Sequence, residues 1–213
     1  MDVVIAGGHG KIALRLLRLL AEGGHRGRGL IRNPDQAGDL EAEGGEAVIC
    51  DLEASDDISA QVGQADAVVF AAGAGPGSGA ERKRTMDLGG ALKLIDAAKA
   101  NGISRYVIVS SMGAADPGSG SGPMGPYLQA KHEADEALKA SGLDYTIVRP
   151  GSLTDEPGTG LVDVAESLGR WGSVPRDDVA ATLLAALLND AAIGKTFELL
   201  SGEKPIEEAL RGL

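Results

Sequence analysis

The sequence predicts an α/β fold in which a doubly wound parallel sheet has helices on both faces. Short apolar runs alternate along the chain with longer stretches of helical periodicity, which is the pattern of strands joined by crossover helices. The strand-like runs are apolar at nearly every position, as expected for strands that are covered on both faces. With 213 residues and no internal repeat, the chain 1–213 is expected to form one domain.

The predicted strands are short, continuous apolar runs. In chain order they are Val3–Ala6, Gly29–Ile31, Ala47–Cys50, Ala67–Ala71, Tyr106–Val109, Thr146–Val148 and Thr196–Leu200. Parallel strands end at one common edge of a sheet, and ligands of open α/β sheets bind beyond that edge. Residues that follow these strands are therefore the first candidates for a functional site.

The predicted helices lie between the strands. They cover Ile12–Glu22, a short piece near Asp56–Val62, Arg84–Ala100, Tyr127–Ala140 and Asp177–Leu188. Leu14, Leu17 and Leu20 recur at helical spacing in the first of them. Gly102 and Gly142 each follow a helix and precede a strand, which is the usual place of a C-terminal cap.

The last third of the chain differs in composition. Residues 151–175 are rich in glycine, proline and acidic residues, with a small strand expected at Leu161–Val164. We expect the segment 151–195 to contribute a small substrate cap over the strand ends. Two glycine-rich loops, at 73–85 and 113–126, leave the carboxyl ends of predicted strands and are candidates for the walls of a binding site.

Charge and cysteine content exclude several classes of function. The formal net charge of −11 argues against nucleic acid or an anionic membrane as the main partner. Cys50 is the sole cysteine, so no intrachain disulfide can form, and the scattered histidines show no metal-ligand spacing. No secretory signal or bilayer-spanning apolar run is visible, so a cytoplasmic location is expected.

A glycine cluster lies where the first predicted strand passes into the first helix. The stretch "GGHGKIA" fits a dinucleotide-binding turn, in which glycines permit the sharp turn and let a pyrophosphate approach the backbone. The N–H groups at the start of the helix would then face the phosphates. The residues expected to contact the nucleotide here are Gly7, Gly8, His9, Gly10, Lys11 and Ile12, although His9 alone also fits an exposed loop residue.

The end of the second strand bears on the choice between NADP and NAD. Arg32 offers a planar cation suited to a 2′-phosphate, and Arg28 could assist if its side chain turns the same way. Asp35 keeps an NAD site open as the alternative, because NAD sites place an acidic residue in this region. We therefore expect NADP as the cofactor, with NAD as the second choice.

Residues after the third and fourth strands would complete the nucleotide site. Asp51 and Leu52 follow the third strand and could serve the adenine, with an acidic turn residue as the equally good alternative for Asp51. The small residues Ala71, Ala72 and Gly73 close the fourth strand. Their size would let a cofactor lie across the sheet.

A tyrosine and a lysine are candidates for proton chemistry. Tyr127 and Lys131 are four residues apart and share one face of a helix. A lysine ammonium beside a phenol stabilises the phenolate, so the tyrosine can exchange a proton with a carbonyl or alcohol oxygen. Ser110 or Ser111 at the end of the fifth strand could hydrogen-bond the same oxygen.

Taken together, these motifs resemble an atypical short-chain dehydrogenase/reductase of the compact, NAD-dependent epimerase/dehydratase-like kind. The similarity extends over nearly the whole chain, through "GGHGKIA", "GLIRNP", "CDLE", "VVFAAG", "YVIVSSMG", "YLQAKHEAD", "DYTIVRPG" and "PRDDVA". The resemblance implies a Rossmann-type fold. It also implies that Tyr127 is the general acid/base, that Lys131 holds both the tyrosine and the nicotinamide ribose, and that the strand-end serine orients substrate.

The resemblance also implies roles for a few further positions. Pro150 and Gly151 would lie against the nicotinamide, and Ser111 is preferred to Ser110 as the substrate-facing serine. Many relatives place an asparagine in the central helix, where this chain has Asp87. The segment after the nucleotide-binding half is also too short for the large substrate domain of the sugar-nucleotide epimerases.

The functional hypothesis is an NADP-dependent oxidoreductase that transfers hydride between nicotinamide and a small carbonyl or alcohol substrate. Two alternatives stay open: a non-catalytic NADP(H)-binding redox sensor, and an NAD-dependent epimerase or dehydratase. Relatives often form dimers, so a homodimer is an expected assembly.

Overall fold

A computed structural model describes residues 1–75, 77–120, 122 and 124–213. The main sheet has nine strands in the order β11-β8-β10-β6-β5-β4-β1-β2-β3, and a separate two-stranded sheet pairs β7 with β9. The strands are β1 Asp2–Ala6, β2 Arg26–Ile31, β3 Glu46–Ile49, β4 Ala67–Phe70, β5 Arg105–Val109, β6 Asp144–Pro150, β7 Ser152–Thr154, β8 Leu161–Ala165, β9 Ser173–Pro175, β10 Lys195–Ser201 and β11 Lys204–Pro205.

Helices cover both faces of the main sheet. They are α1 Lys11–Glu22, α2 Ala37–Ala42, α3 Ser59–Val62, α4 Ala80–Arg82, α5 Ala91–Ala100, α6 Met124–Lys139, α7 Arg176–Leu187 and α8 Ile206–Arg211. A π-helical stretch, Lys83–Gly90, joins α4 directly to α5. No helix among the described residues is long and apolar enough to cross a membrane.

The apolar character of the strands is explained by two cores, one on each side of the sheet. In β1, Val3 and Ile5 belong to the core that packs against α1 and α7, whereas Val4 and Ala6 belong to the core under α3, α5 and α6. Successive strand residues point to opposite faces, so a strand covered on both sides is apolar throughout. The predicted Rossmann-type doubly wound α/β fold is confirmed.

The seven neighbouring strands from β3 to β10 run parallel, and β8 pairs antiparallel with both β10 and β11. Of the segment 151–195, the strand β8 and the helix α7 belong to the layers of the main sheet, whereas β7 and β9 form the small second sheet. The function of this segment as a substrate cap stays a prediction.

The loop between β1 and α1 approaches its neighbours too closely for side chains. A Cβ atom on Gly8 would lie 2.5 Å from the Cα atom of Gly29 in β2. Gly7 has a φ of +82°, which favours glycine, and a Cβ atom there would lie 2.6 Å from the Cα atom of Ala72. The loop is thereby wedged between the ends of β2 and β4.

A buried ion pair connects α6 to β6. The Asp135 carboxylate accepts hydrogen bonds from Arg149, at 3.0 Å from Nε and 2.9 Å from Nη2, and both side chains are almost wholly buried. Burial raises the pKa of Asp135, while the charge of Arg149 and the hydroxyl of Ser110 oppose that rise. Each residue therefore needs the other, because a buried charge without its partner strongly destabilises the folded protein.

We expect Gly8→Ala to lower the free energy of unfolding by about 1–3 kcal/mol, because the new methyl group overpacks the contact with Gly29. Gly38→Ala is the matched control: it lies within α2 with open space around its Cα atom. That change should raise stability by about 0.5–1 kcal/mol. Urea denaturation of both variants measures the difference, and equal effects would contradict the close-packing explanation.

We expect Arg149→Met alone to cost about 3–5 kcal/mol of stability, because it leaves the Asp135 carboxylate buried without its cation. The double variant Arg149→Met, Asp135→Leu should regain most of that loss. Denaturant unfolding of the two variants checks this. A double variant no more stable than the single one would show that the pair is not the origin of the loss.

Candidate active site

A groove runs across the carboxyl ends of the parallel strands. It consists of two cavities of about 210 Å³ and 440 Å³, which share the lining residues Ala71, Ala72 and Gly73 at the end of β4. Their small side chains keep the middle of the groove open. We call the smaller half the arginine end, because Arg32 and Arg82 line it, and the larger half the tyrosine end, because Tyr127 lines it.

The glycine loop borders this groove. Gly7 and Gly10 line the arginine end and Ile12 lines the tyrosine end. Gly10 is the N-cap of α1 without a side-chain cap, and the first turn of the helix has no acidic residue. The partial positive charge at the start of α1 is therefore available to an anion in the groove.

Three residues of the glycine loop that were predicted to contact the nucleotide make contacts with other parts of the protein. Gly8 packs against Gly29 and lines neither cavity. Lys11 also lies outside both linings, and its Nζ atom is 2.6 Å from Asp155 Oδ2. His9 lines the arginine end while its Nε2 atom lies 2.7 Å from Asp39 Oδ2.

Arg32 and Arg28 point to different places although they are close in sequence. Arg32 lines the arginine end with its side chain 58% exposed. Arg28 is buried, and donates from Nε to Asp2 and from Nη1 to the Val62 carbonyl oxygen, each at 2.9 Å. Arg28 therefore does not join Arg32 at the groove.

Asp51 and Leu52 also line the arginine end. One carboxylate oxygen of Asp51 accepts the backbone N–H groups of Glu53 and Ala54, at 2.9 and 3.3 Å, so this side chain caps its own turn. Its other oxygen is left for a ligand. Leu52 is buried and supplies an apolar wall.

Tyr127 and Lys131 lie on one face of α6 at the tyrosine end, as their spacing predicts. The Lys131 Nζ atom is 5.8 Å from the centre of the Tyr127 ring. It donates to the Val109 carbonyl oxygen at 3.1 Å and lies 3.2 Å from Asp87 Oδ1. The ammonium group is thus held in place by protein atoms and directed towards the phenol.

The charge of Lys131 is maintained by its acidic neighbours. Burial of the ammonium group by itself lowers its pKa, but the interactions with Tyr127, with the carboxylate of Asp87 and with Asp135 outweigh burial, and the pKa of Lys131 is raised. Asp87 is wholly buried in the π-helical stretch and accepts the Ala74 N–H at 3.2 Å. At neutral pH, Lys131 is therefore a fixed cation beside the tyrosine.

Of the two serines at the end of β5, Ser110 lines the tyrosine end and Ser111 lines neither cavity. The Ser110 hydroxyl donates to Asp135 Oδ2 at 2.9 Å. In this arrangement its lone pairs, and not its proton, are left for a ligand. Pro150 and Gly151 lie outside both linings, and Gly151 packs against Gly172 and Leu200.

Several residues that line the groove were not predicted from the sequence. They are Gln36, Cys50 and Met86 at the arginine end, and Val109, Leu153 and Arg176 at the tyrosine end. Lys83 and Met124 also line the tyrosine end, and they lie in the two loops predicted as walls. Arg82 also lines the arginine end. It belongs to the charged run "ERKR" at 81–84, which from sequence fits a charged helix start, the favoured interpretation, or a contact with the cofactor phosphates. Burial, with the Asp51 carboxylate nearby, raises the pKa of the Cys50 thiol, so Cys50 is an uncharged wall residue.

The two glycine-rich loops relate to the groove differently. The loop 73–85 contributes Gly73, Ala74, Gly75, Gly77, Arg82 and Lys83 to its lining. From the described part of the loop 113–126, Met124 reaches the tyrosine end. Trp171 is 74% exposed and would contact a Cβ atom on Gly113 at 3.5 Å, so it packs beside that loop without entering either cavity.

This groove suits an extended ligand in two parts. An anion-binding helix start and a glycine loop lie at its centre, cations and an apolar wall at one end, and a tyrosine–lysine pair at the other. A pyridine dinucleotide has a pyrophosphate between an adenosine and a nicotinamide riboside, and Rossmann folds bind it at such a strand edge. The residues present therefore fit this cofactor.

Comparisons with known proteins agree with this geometry. A family model described as NAD(P)H-binding matches residues 7–190. The chain is 42% identical to an uncharacterized sugar epimerase of Bacillus subtilis, with all of both chains covered.

Solved structures give the same result. One from Bacillus halodurans, provisionally named an NAD-dependent epimerase/dehydratase, is 42% identical over the full length of both chains, with a TM-score of 0.96. An oxidoreductase from Lactococcus lactis is 29% identical, with a TM-score of 0.85 over 100% of this chain and 96% of that one. The protein therefore belongs to the NAD(P)H-binding family of Rossmann-fold, epimerase/dehydratase-like proteins.

Proposed function

We propose that this protein is an NADP-dependent oxidoreductase acting on a small carbonyl or alcohol substrate. The main support is the juxtaposition of Tyr127, Lys131 and Ser110 at one end of a groove whose other end is lined by Arg32. Bound NADP(H) supplies or accepts the hydride, which is chemistry that no side chain can provide. The similar oxidoreductase from Lactococcus lactis is consistent with this class of reaction.

The protein's part begins with binding. Gly7, Gly10 and the start of α1 would hold the pyrophosphate through backbone N–H groups. Arg32 would hold the 2′-phosphate, since a guanidinium group matches a phosphate in shape and charge. Asp51 and Leu52 would flank the adenine.

Tyr127 would move the proton. A phenol can donate to a carbonyl oxygen or take a proton from an alcohol, and the fixed charge of Lys131 favours the phenolate that remains after donation. Lys131 donates to Val109 and contacts Asp87, so it would act on Tyr127 mainly through its charge. Asp87 is thereby a positioning residue for Lys131.

Ser110 is the serine that we propose for the site, in place of Ser111. Because its hydroxyl donates to Asp135, Ser110 would accept a hydrogen bond from the substrate hydroxyl or from Tyr127. The cavity it lines has a volume of about 440 Å³, which the nicotinamide would share with substrate. A small, moderately apolar substrate is therefore expected, against the walls formed by Ile12, Met124 and Leu153.

The relatives' names favour one second candidate, an epimerase or dehydratase with tightly held NAD. Such an enzyme regenerates its cofactor within each turnover and should keep it through purification. Nucleotide analysis of the acid-denatured protein distinguishes the two: NAD at one equivalent favours the second candidate, and little or no nucleotide favours the oxidoreductase.

We expect Arg32→Ala to weaken NADPH binding by about 10- to 100-fold, equivalent to about 1.5–3 kcal/mol for a charge-assisted contact. NADH binding should change by less than about twofold, because NADH lacks the 2′-phosphate. Titration calorimetry with both nucleotides measures this. Arg18→Ala is the control, since Arg18 is a half-exposed arginine of α1 that pairs with Glu43 at 3.6 Å. Equal losses for both nucleotides would contradict the role assigned to Arg32.

We expect Tyr127→Phe to lower turnover by at least about 100-fold through loss of the proton donor, while NADPH affinity stays within about threefold. NADPH consumption with a panel of small aldehydes, ketones and quinones provides the rate. Tyr145→Phe is the matched control, because Tyr145 lies in β6 outside the groove. NADPH binding without turnover in the wild type would instead favour the redox-sensor alternative.

A further inference from the structure

Three charged side chains from three separate elements meet at the arginine end of the groove. Glu53 follows β3, Arg32 follows β2, and Arg82 ends α4. The Glu53 Oε2 atom lies 3.8 Å from Arg32 Nη1 and 3.3 Å from Arg82 Nε. A single carboxylate thus pairs with both arginines of the cavity.

Glu53 is held in this position by a further contact. Its Oε1 atom accepts the Thr85 hydroxyl at 2.9 Å, and its side chain is 25% exposed, against 58% for Arg32. Both arginines line the cavity, but Glu53 does not. A ligand in the arginine end would therefore contact the guanidinium groups, with the carboxylate as their neighbour.

The carboxylate leaves most of the arginine donors free. Each guanidinium group has five N–H donors. One donor of Arg82 is hydrogen-bonded to Glu53, and the contact between Glu53 and Arg32 is a longer ion pair. Geometry alone would permit both arginines to bind a phosphate. The effect of Glu53 on such a phosphate is thus mainly one of charge.

The charges at this end are unbalanced in a way that bears on nucleotide choice. The cluster of two arginines and one glutamate sums to +1, and the Asp51 carboxylate that lines the same cavity lowers the balance further, whereas a phosphate monoester carries roughly −1.5 to −2 at pH 7. Without the charge of Glu53 the balance of this end would be more positive by one. A carboxylate next to the phosphate site repels the phosphate directly and also reduces the net attraction of the arginines.

We propose that Glu53 tunes nucleotide selectivity: it pairs with Arg32 and Arg82 and lowers the preference of the site for NADPH over NADH. This inference rests on the proposed function, in which the arginine end receives the adenosine half of the cofactor. It adds Arg82 as a second arginine beside the 2′-phosphate. It also assigns Glu53 a role in distinguishing NADPH from NADH, although Glu53 does not line the cavity.

The test is titration calorimetry of NADPH and NADH against wild type and Glu53→Gln. Glutamine keeps the size of the side chain and one acceptor oxygen, which can still accept from Arg82, while its NH2 group can donate to the Thr85 hydroxyl; the charge is removed. NADPH binding should tighten by about two- to fivefold, the range expected for removal of one partly exposed like charge. NADH binding should stay within about twofold, and the gain for NADPH should shrink at high salt because such interactions are screened.

Two further variants separate charge from position. Glu43→Gln makes the same change in a half-buried pair with Arg18 outside the groove, and should leave both affinities unchanged. Thr85→Val removes the hydrogen bond to Glu53 and keeps the carboxylate charge, so it should not reproduce the gain. Thermal unfolding of each variant verifies that it is folded.

The outcomes are distinct from those that test the proposed function. A wild type that binds NADH more tightly than NADPH would refute the NADP assignment, yet the ratio between Glu53→Gln and wild type would still test Glu53. If Glu53→Gln leaves NADPH binding unchanged or weakens it, the inference is overturned, and Glu53 serves to orient the arginines. If Thr85→Val tightens NADPH binding equally, the inference is also overturned.

Discussion

The close packing of the loop between β1 and α1 is the constraint on which the rest of the groove depends. Gly7 approaches Ala72, and Gly8 approaches Gly29, at distances that leave no room for a Cβ atom. This wedge sets the position at which α1 begins, and hence where its uncapped N–H groups point. With a bulkier loop, the floor of the groove and the start of α1 would have to move together.

The same packing gives the glycine-rich turn a structural reason that is independent of any ligand. Gly8 lines neither cavity, so its requirement for glycine arises from the backbone of β2. Gly7 and Gly10 have both functions: they pack closely against neighbouring backbone, and they also border the groove. In this protein the same loop is both the candidate nucleotide-binding turn and a tightly packed junction between strand and helix.

The tyrosine end depends on two buried ion pairs. Lys131 pairs with Asp87 of the π-helical stretch, and Asp135 pairs with Arg149 of β6. Both Lys131 and Asp135 belong to α6, the helix that also presents Tyr127. Burying such charges is costly unless each is paired, so the placement of the proposed catalytic groups is coupled to the stability of the core. The arginine end differs, because its charges are partly exposed and their balance can shift with a ligand.

The sequence by itself determined the layout of the fold and of the groove. Apolar runs covered on both faces, glycines after the first strand, and a tyrosine–lysine pair at helical spacing are local patterns, and local patterns follow from backbone periodicity. The helices and strands that it did not indicate include α2, α4, α8, β7, β9 and β11. These elements are short, and β7, β9 and β11 form by pairing with strands that are distant in the chain, which no local period reveals.

Only the tertiary structure decided which polar side chains enter the groove. Arg28 and Arg32 are four residues apart, yet one is bound to Asp2 near the opposite end of the strand and the other lines the cavity. Ser110 and Ser111 are adjacent, and Ser110 reaches the cavity while bonded to Asp135. Glu53 meets Arg32 and Arg82 across three elements. Which side chain lines the groove depends on long-range packing and on the partner with which each charged or polar group pairs. The sequence alone could not predict these contacts.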